Sequence, residues 1–255
     1  MPRRWRGLWP AARGRRPTGD GDLLRRFPDL DPEFVPLYET CRHATMTSVE
    51  RLYALFKAVE YIIRAEIPGD FVECGVWRGG SVMMMALALK AFGGVGRRIH
   101  CFDTFEGMPP PDERDVRHDT GEAASDILAA SERSEGSVFW AMAPLAEVER
   151  NLGRTGYPAE LVTYCKGKVE ETLPLSAPAS VALLRLDTDW YQSTKHELEC
   201  LYPRLSVGGV LIIDDYGFFR GARQATDEYF RETGAPMLLN RIDNTGRIGI
   251  KAAPA

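Results

Sequence analysis

The stretch 181–216, VALLRLDTDWYQSTKHELECLYPRLSVGGVLIIDDY, constrains the fold more than any other part of the chain. It reads as strand, helix, strand. An apolar run over 181–186 stops at Asp187-Thr188-Asp189. Ser193-Thr194 opens a polar segment with apolar residues at Leu198, Leu201 and Leu205. Gly208-Gly209 is expected to end that segment, and a second apolar run over 210–213 stops at Asp214-Asp215. Continuous apolar runs flanking a crossover helix mark parallel strands buried on both faces. The unit has the length of about 30 residues typical of βαβ. Parallel neighbours lie roughly 5 Å apart and end on one edge, the edge where open α/β sheets bind ligands. Asp187, Asp189, Asp214 and Asp215 are therefore expected to converge. Carboxylates that close repel one another unless a cation or raised pKa values relieve them. A hard divalent ion such as Mg²⁺ is the simplest relief. Solvated caps on strand ends explain a single Asp as well, but explain paired D-x-D and D-D less well.

A chain of 255 residues with 44% hydrophobic content suits one large α/β domain. Its net charge of −4 points to neither nucleic acid nor an anionic membrane as a partner. The five Cys are scattered, odd in number and without C-x-x-C pairing, which fits small buried hydrophobes in a reducing cytoplasm. No apolar stretch is long enough to span a bilayer. Residues 1–18 are rich in Arg, Trp, Gly and Pro, contain no acid and lack the apolar core of a signal peptide. They read as a disordered basic tail.

Residues 19–45 are expected to be an irregular lid or interface segment, because Pro28, Pro32 and Pro36 interrupt it. The main domain is expected over 46–255. Thr47-Ser48-Val49-Glu50 has the form of a capping box and opens a helix to about Ile63. That helix and its Pro-rich lead offer a surface for a homodimer. The first strand is read at 70–74. Behind it, Gly75-Val-Trp-Arg-Gly-Gly-Ser81 forms a Gly-rich turn before a helix over 82–92. Such a turn lets backbone N–H groups approach a ligand closely, although in many α/β folds it serves only packing. The second strand, 98–102, closes in Asp103, and an acid at this place commonly grips a ribose diol. Residues 104–160 are too long for a simple connector and should supply a lid, with a helical segment near 141–151. His118 there is a lone loop histidine, more often solvated than functional. A third strand is read at 161–165, and a helix from Glu170 is expected to break at Pro174. A helix to about Arg231 follows Gly217. Segments 236–241 and 247–251 then form a hairpin around Asp243-Asn244-Thr245-Gly246. The whole is α/β, doubly wound and mainly parallel, with an antiparallel C-terminal hairpin.

Four segments in order, FVECGVWRGGS, CFDTFEGMP, LLRLDTDWYQST and GGVLIIDDYG, make the chain similar to the macrocin-type sugar O-methyltransferases from about Met46 to Lys251. The resemblance implies a seven-stranded class I methyltransferase (Rossmann-like) sheet. It implies S-adenosylmethionine and Mg²⁺ as cofactors and a glycoside of a natural product, often an antibiotic, as acceptor. Residue by residue it implies metal ligands at Asp187, Asp214 and Asp215 and a general base at Asp189. It places the cofactor at Glu73, Gly75, Ser81 and Asp103. Trp190 and Val169 depart from the family pattern, which bears on pocket shape. On this reading the ion chelates two vicinal sugar oxygens and Asp189 takes the proton. A phenolic or catechol acceptor is chemically admissible, since it also offers vicinal oxygens. A nicotinamide-dependent oxidoreductase is disfavoured, because the first turn lacks G-x-G-x-x-G. A non-catalytic binding module leaves the clustered acids without a use.

Overall fold

The computed structural model describes residues 20–253; the expected basic tail at 1–18 lies outside them. Among the described residues a seven-stranded sheet runs in the order β3-β2-β1-β4-β5-β7-β6. Its strands are β1 (Asp70–Cys74), β2 (Ile99–Asp103), β3 (Val162–Lys166), β4 (Val181–Leu186), β5 (Leu205–Ile213), β6 (Asn240–Arg241) and β7 (Arg247–Ile250). Strands β1 to β5 pair in parallel, whereas β7 runs antiparallel to both β5 and β6. The expected doubly wound sheet with a terminal hairpin is thus present. The strand order reverses between β1 and β4, and open α/β sheets bind ligands at such a switch point.

The two faces follow from strand alternation. Phe71, Cys101, Leu183, Val210 and Ile212 pack on one side with α3 (Val49–Arg64) and α4 (Gly80–Ala91). Val72, Cys74, Phe102, Leu184, Leu186, Leu211 and Ile213 face the other way, toward α7 (Val169–Ser176), α8 (Tyr191–Leu201) and α9 (Arg220–Thr233). Both faces are covered, so the central strands carry no solvent-facing polar row.

Several local expectations need correction. Residues 20–45 are not irregular: they form α1 (Asp20–Arg26) and α2 (Phe34–Cys41), whose Leu23, Phe34, Val35 and Tyr38 join the core beside α3 and α4. Pro36 lies in the first turn of α2, where a missing N–H breaks no helical hydrogen bond. The cap of α3 is Ser48, not Thr47; its Oγ accepts from the Arg51 amide at 3.1 Å. The apolar face of α3 is buried within this chain through Leu52, Leu55, Val59 and Ile62. Gly208-Gly209 do not end a helix. They lie inside β5, where pairing with β4 jumps from Val181↔Leu205 to Leu183↔Val210, and Gly208 takes φ +82° at this irregularity. Helix α7 continues through Pro174 to Ser176. The 104–160 segment carries α5 (Ala124–Ala130), which periodicity did not reveal, and α6 (Leu145–Gly153).

Where the first strand meets the site, Gly75 is forced by geometry. It adopts φ +82°, and a Cβ there would lie 1.9 Å from the Asp187 carbonyl oxygen. Gly75→Ala is expected to lower stability by about 2 kcal/mol or more. Thermal unfolding should register this as a drop of about 4–8 °C.

Candidate active site

Strand register delivers the acids. Leu186 pairs with Ile213, so Asp187 and Asp214 leave adjacent strands side by side, and the Asp214 amide donates to the Leu186 carbonyl at 2.9 Å. One carboxylate oxygen from each of Asp187, Asp214 and Asp215 lies within 4.8 Å of the others. Asp215 is also within hydrogen-bonding reach of Asp189. Burial, then the neighbouring charges, pushes Asp187 up to about 6 against the pull of Arg185. The same causes raise Asp189 and Asp215 well above the usual carboxylate range. Asp215 Oδ2 is buried without a hydrogen-bond partner. An all-oxygen donor set with an orphaned oxygen fits a hard divalent cation.

Two guanidiniums that the motifs did not reveal reach the same acids. Arg185, 2% exposed and next to last in β4, donates to Glu73 Oε1 at 2.6 Å and to Asp187 Oδ2 at 2.8 Å, and also to Asp214 Oδ1. Burial disfavours its charge, but Asp187, Asp214 and Glu73 outweigh this and hold its pKa above the ordinary value. A charged residue inside a fully buried strand was itself the signal, since such a group must find partners. Arg51, in the first turn of α3, pairs with Asp214 and with Asp243 at 3.0 Å. A cation at a helix N-terminus opposes the helix dipole, which marks Arg51 as held there by other charges.

The residues assigned to the cofactor occupy distinct places. Glu73 is fully buried beneath the turn, paired in register with Arg185, and accepts from Ser81 Oγ. Burial lifts it to about 7 against the pull of Arg185. It lines neither of the cavities described next. Asp103 Oδ2 accepts from the Val76 and Trp77 amides at 2.7 and 3.1 Å, and Oδ1 from the Phe105 amide at 2.6 Å. These bonds fasten the Gly-rich turn to β2, and burial raises the Asp103 carboxyl despite them.

Two cavities meet above the acids. The larger, about 560 Å³, takes its walls from Arg26, Phe27 and Tyr38 and from Ile127, Leu128 and Phe139, with Asp214 and Asp215 below. The smaller, about 100 Å³, lies along Gly75, Asp103, Thr104, Gly167 and Lys168. Met46, Trp77, Ala141, Asp187 and Asp189 line both. Trp77 Nε1 is a buried donor without a partner at this junction. Trp77, Ala141 and Asp189 are non-glycine residues with positive φ, at 46°, 43° and 67°. His118 lines neither cavity.

Comparisons with known proteins show the family and the fold. Residues 39–248 match the model of the macrocin O-methyltransferase (TylF) family. The chain is 36% identical over 219 residues to the 8-demethyl-8-(2,3-dimethoxy-α-L-rhamnosyl)-tetracenomycin-C 4′-O-methyltransferase of Streptomyces olivaceus, covering 86% of this chain and 80% of that protein. It is 35% identical to the mycinamicin III 3″-O-methyltransferase of Micromonospora griseorubida, covering 82% and 78%. Among solved structures, the O-methyltransferase NovP superposes with TM-score 0.71 at 33% identity, covering 82% of this chain and 83% of NovP. The calicheamicin methyltransferase CalS11 superposes with TM-score 0.62 at 20% identity, covering 91% and 89%, and so shares the fold. With the family model spanning most of its length, this chain belongs to the macrocin O-methyltransferase family.

Proposed function

We propose that the protein transfers a methyl group from S-adenosylmethionine to a sugar hydroxyl of a glycosylated small molecule, with Mg²⁺ as the activating ion. The observation that carries the reading is the meeting of Asp187, Asp214 and Asp215 on the larger cavity, with Asp187 shared by the smaller one. These three carboxylates would hold the Mg²⁺, which when bound supplies a positive charge that makes an adjacent alcohol more acidic. S-adenosylmethionine, bound along Gly75, Asp103 and the indole of Trp77, supplies an electrophilic methyl group on sulfonium. Glu73 acts from beneath by holding Arg185, and Ser81, which also lines the larger cavity, bonds to both of them.

Asp189 lines both cavities and so can stand between donor and acceptor. Its carboxylate takes the proton from the attacking hydroxyl. Burial raises its proton affinity above that of an exposed carboxylate. The aromatic and aliphatic walls exclude water and seat the aglycone, and alignment of the reacting atoms accounts for much of the rate. The names of the relatives supply a panel of acceptors: demethyldecarbamoylnovobiocin, mycinamicin III and the rhamnosyl-tetracenomycin. Turnover of catechols but of no glycoside in a parallel assay would overturn the sugar assignment.

Removal of divalent ions with EDTA should abolish methyl transfer, and added Mg²⁺ should restore it. Calorimetry on Asp214→Ala and Asp215→Ala should show the loss of Mg²⁺ binding with the fold intact. Asp189→Asn should lower turnover by roughly 10²–10⁴-fold. Its affinities for Mg²⁺ and S-adenosylhomocysteine, measured by calorimetry, should stay close to those of the wild type. Full turnover in Asp189→Asn would refute the base role.

A further inference from the structure

Asp189 sits at the centre of a three-residue turn. The Trp190 amide donates to the Thr188 carbonyl at 2.8 Å across it, and Asp189 takes φ +67°. Turns of this kind are strained for a residue with a side chain. They persist only where surrounding structure determines them. Here that structure comes from a distant segment, 109–124, in the crossover between β2 and β3.

Asp115 in that segment is 1% exposed. Its Oδ1 accepts from the Tyr191 amide at 2.8 Å, two residues beyond Asp189. Its Oδ2 accepts from the Asp112 amide at 2.8 Å, and its carbonyl from the Ala124 amide at 2.8 Å. Pro109 adds a second tie, because its carbonyl accepts from Trp190 Nε1 at 2.9 Å. The same segment is joined to the chain just after Asp215, where Arg117 bridges Phe219 and the His118 amide donates to the Phe218 carbonyl at 2.9 Å. Gly221 at the start of α9 leaves the room the Asp115 carboxylate needs. A Cβ there would lie 2.0 Å from Oδ1 and 3.0 Å from the Tyr191 amide nitrogen.

We propose that Asp115 is a positioning residue for the reaction: its buried carboxylate, wedged between the Tyr191 amide and Gly221, holds the strained turn that aims Asp189. Asp115 lines neither cavity. It acts through the backbone of 189–191. The carboxylate is required rather than an amide, because both oxygens accept from backbone N–H groups. An Asn would present its own N–H to one of them. This inference rests on the reading of Asp189 as the base.

The test compares Asp115→Ala, Asp115→Asn and Gly221→Ala with the wild type, using the member of the acceptor panel that the wild type methylates. Displacing the base by a fraction of an ångström to an ångström should lower kcat by roughly ten- to a hundredfold in Asp115→Ala. Asp115→Asn should lose less. Gly221→Ala leaves Asp115 in the sequence but pushes its carboxylate off the amide, and should lower kcat similarly. The KM for the acceptor and the calorimetric affinities for Mg²⁺ and S-adenosylhomocysteine should stay within about twofold. Hydrogen exchange should quicken in peptides covering 188–192 and not in those covering β1. In the Asp189→Asn background, Asp115→Ala should reduce the residual turnover no further. Should Asp115→Ala fail to fold, Asp115→Asn and Gly221→Ala carry the test. Wild-type kcat and exchange in these folded variants would overturn the proposal, as would losses that multiply fully with Asp189→Asn. Full turnover in Asp189→Asn alone would instead sink the base reading, so the two failures are distinguishable.

Discussion

The guanidinium of Arg185 stands in the interior of a parallel sheet, where an unpaired charge would cost several kcal/mol. It is tolerated because Glu73, Asp187 and Asp214 surround it. The dependence is mutual. Those carboxylates crowd one another at the ends of β1, β4 and β5, and without a shared counter-ion they would be driven toward the protonated form. Glu73 and Arg185 are register partners on neighbouring strands, so the pair forms as the sheet forms. From there the charge links the Gly-rich turn, through Ser81, to Asp187, which both cavities share. Arg185 and Arg51 thus tie the acid cluster to the sheet and to the helix behind it.

What could be read from the sequence followed from short-range periodicity. D-x-D and D-D after two apolar runs had to meet, because parallel neighbours end on one edge, and Asp187, Asp214 and Asp215 do meet. Gly75 and Asp103 were placed correctly at the strand tips. The reason for the glycine was not visible, since it lies in the backbone of Asp187 passing close by. Arg185 was concealed inside a run that reads as apolar. Arg51 was concealed because its partner Asp214 is 163 positions away. Prolines at 28, 32 and 36 suggested an irregular segment, yet Pro36 stands in the first turn of α2, where a proline costs little. Gly208-Gly209 looked like a helix terminator, because a bulge and a turn draw on the same residue type. Asp115 carries no local signal at all, since its task is set by an amide 76 residues later.

Backbone strain is concentrated near the chemistry. Trp77, Ala141 and Asp189 depart from ordinary φ and line both cavities, and Phe105 follows closely on Asp103 with φ 54°. Asp103 secures both the Trp77 and the Phe105 amides, so one carboxylate restrains two strained positions on adjacent loops. The sheet supplies rigidity and the loops store the unusual geometry, a division expected where side chains must be aimed rather than merely buried.

The larger cavity has walls and a floor drawn from different parts of the chain. Arg26, Phe27 and Tyr38 come from the N-terminal helices and the turn between them, and Ile127, Leu128 and Phe139 from the long crossover, whereas the acids come from the strand tips. Substitutions in the wall segments can therefore accumulate over evolutionary time without disturbing the charges below. Duplicated genes sharing this architecture can diversify toward new scaffolds by altering those segments while inheriting the reactive centre unchanged.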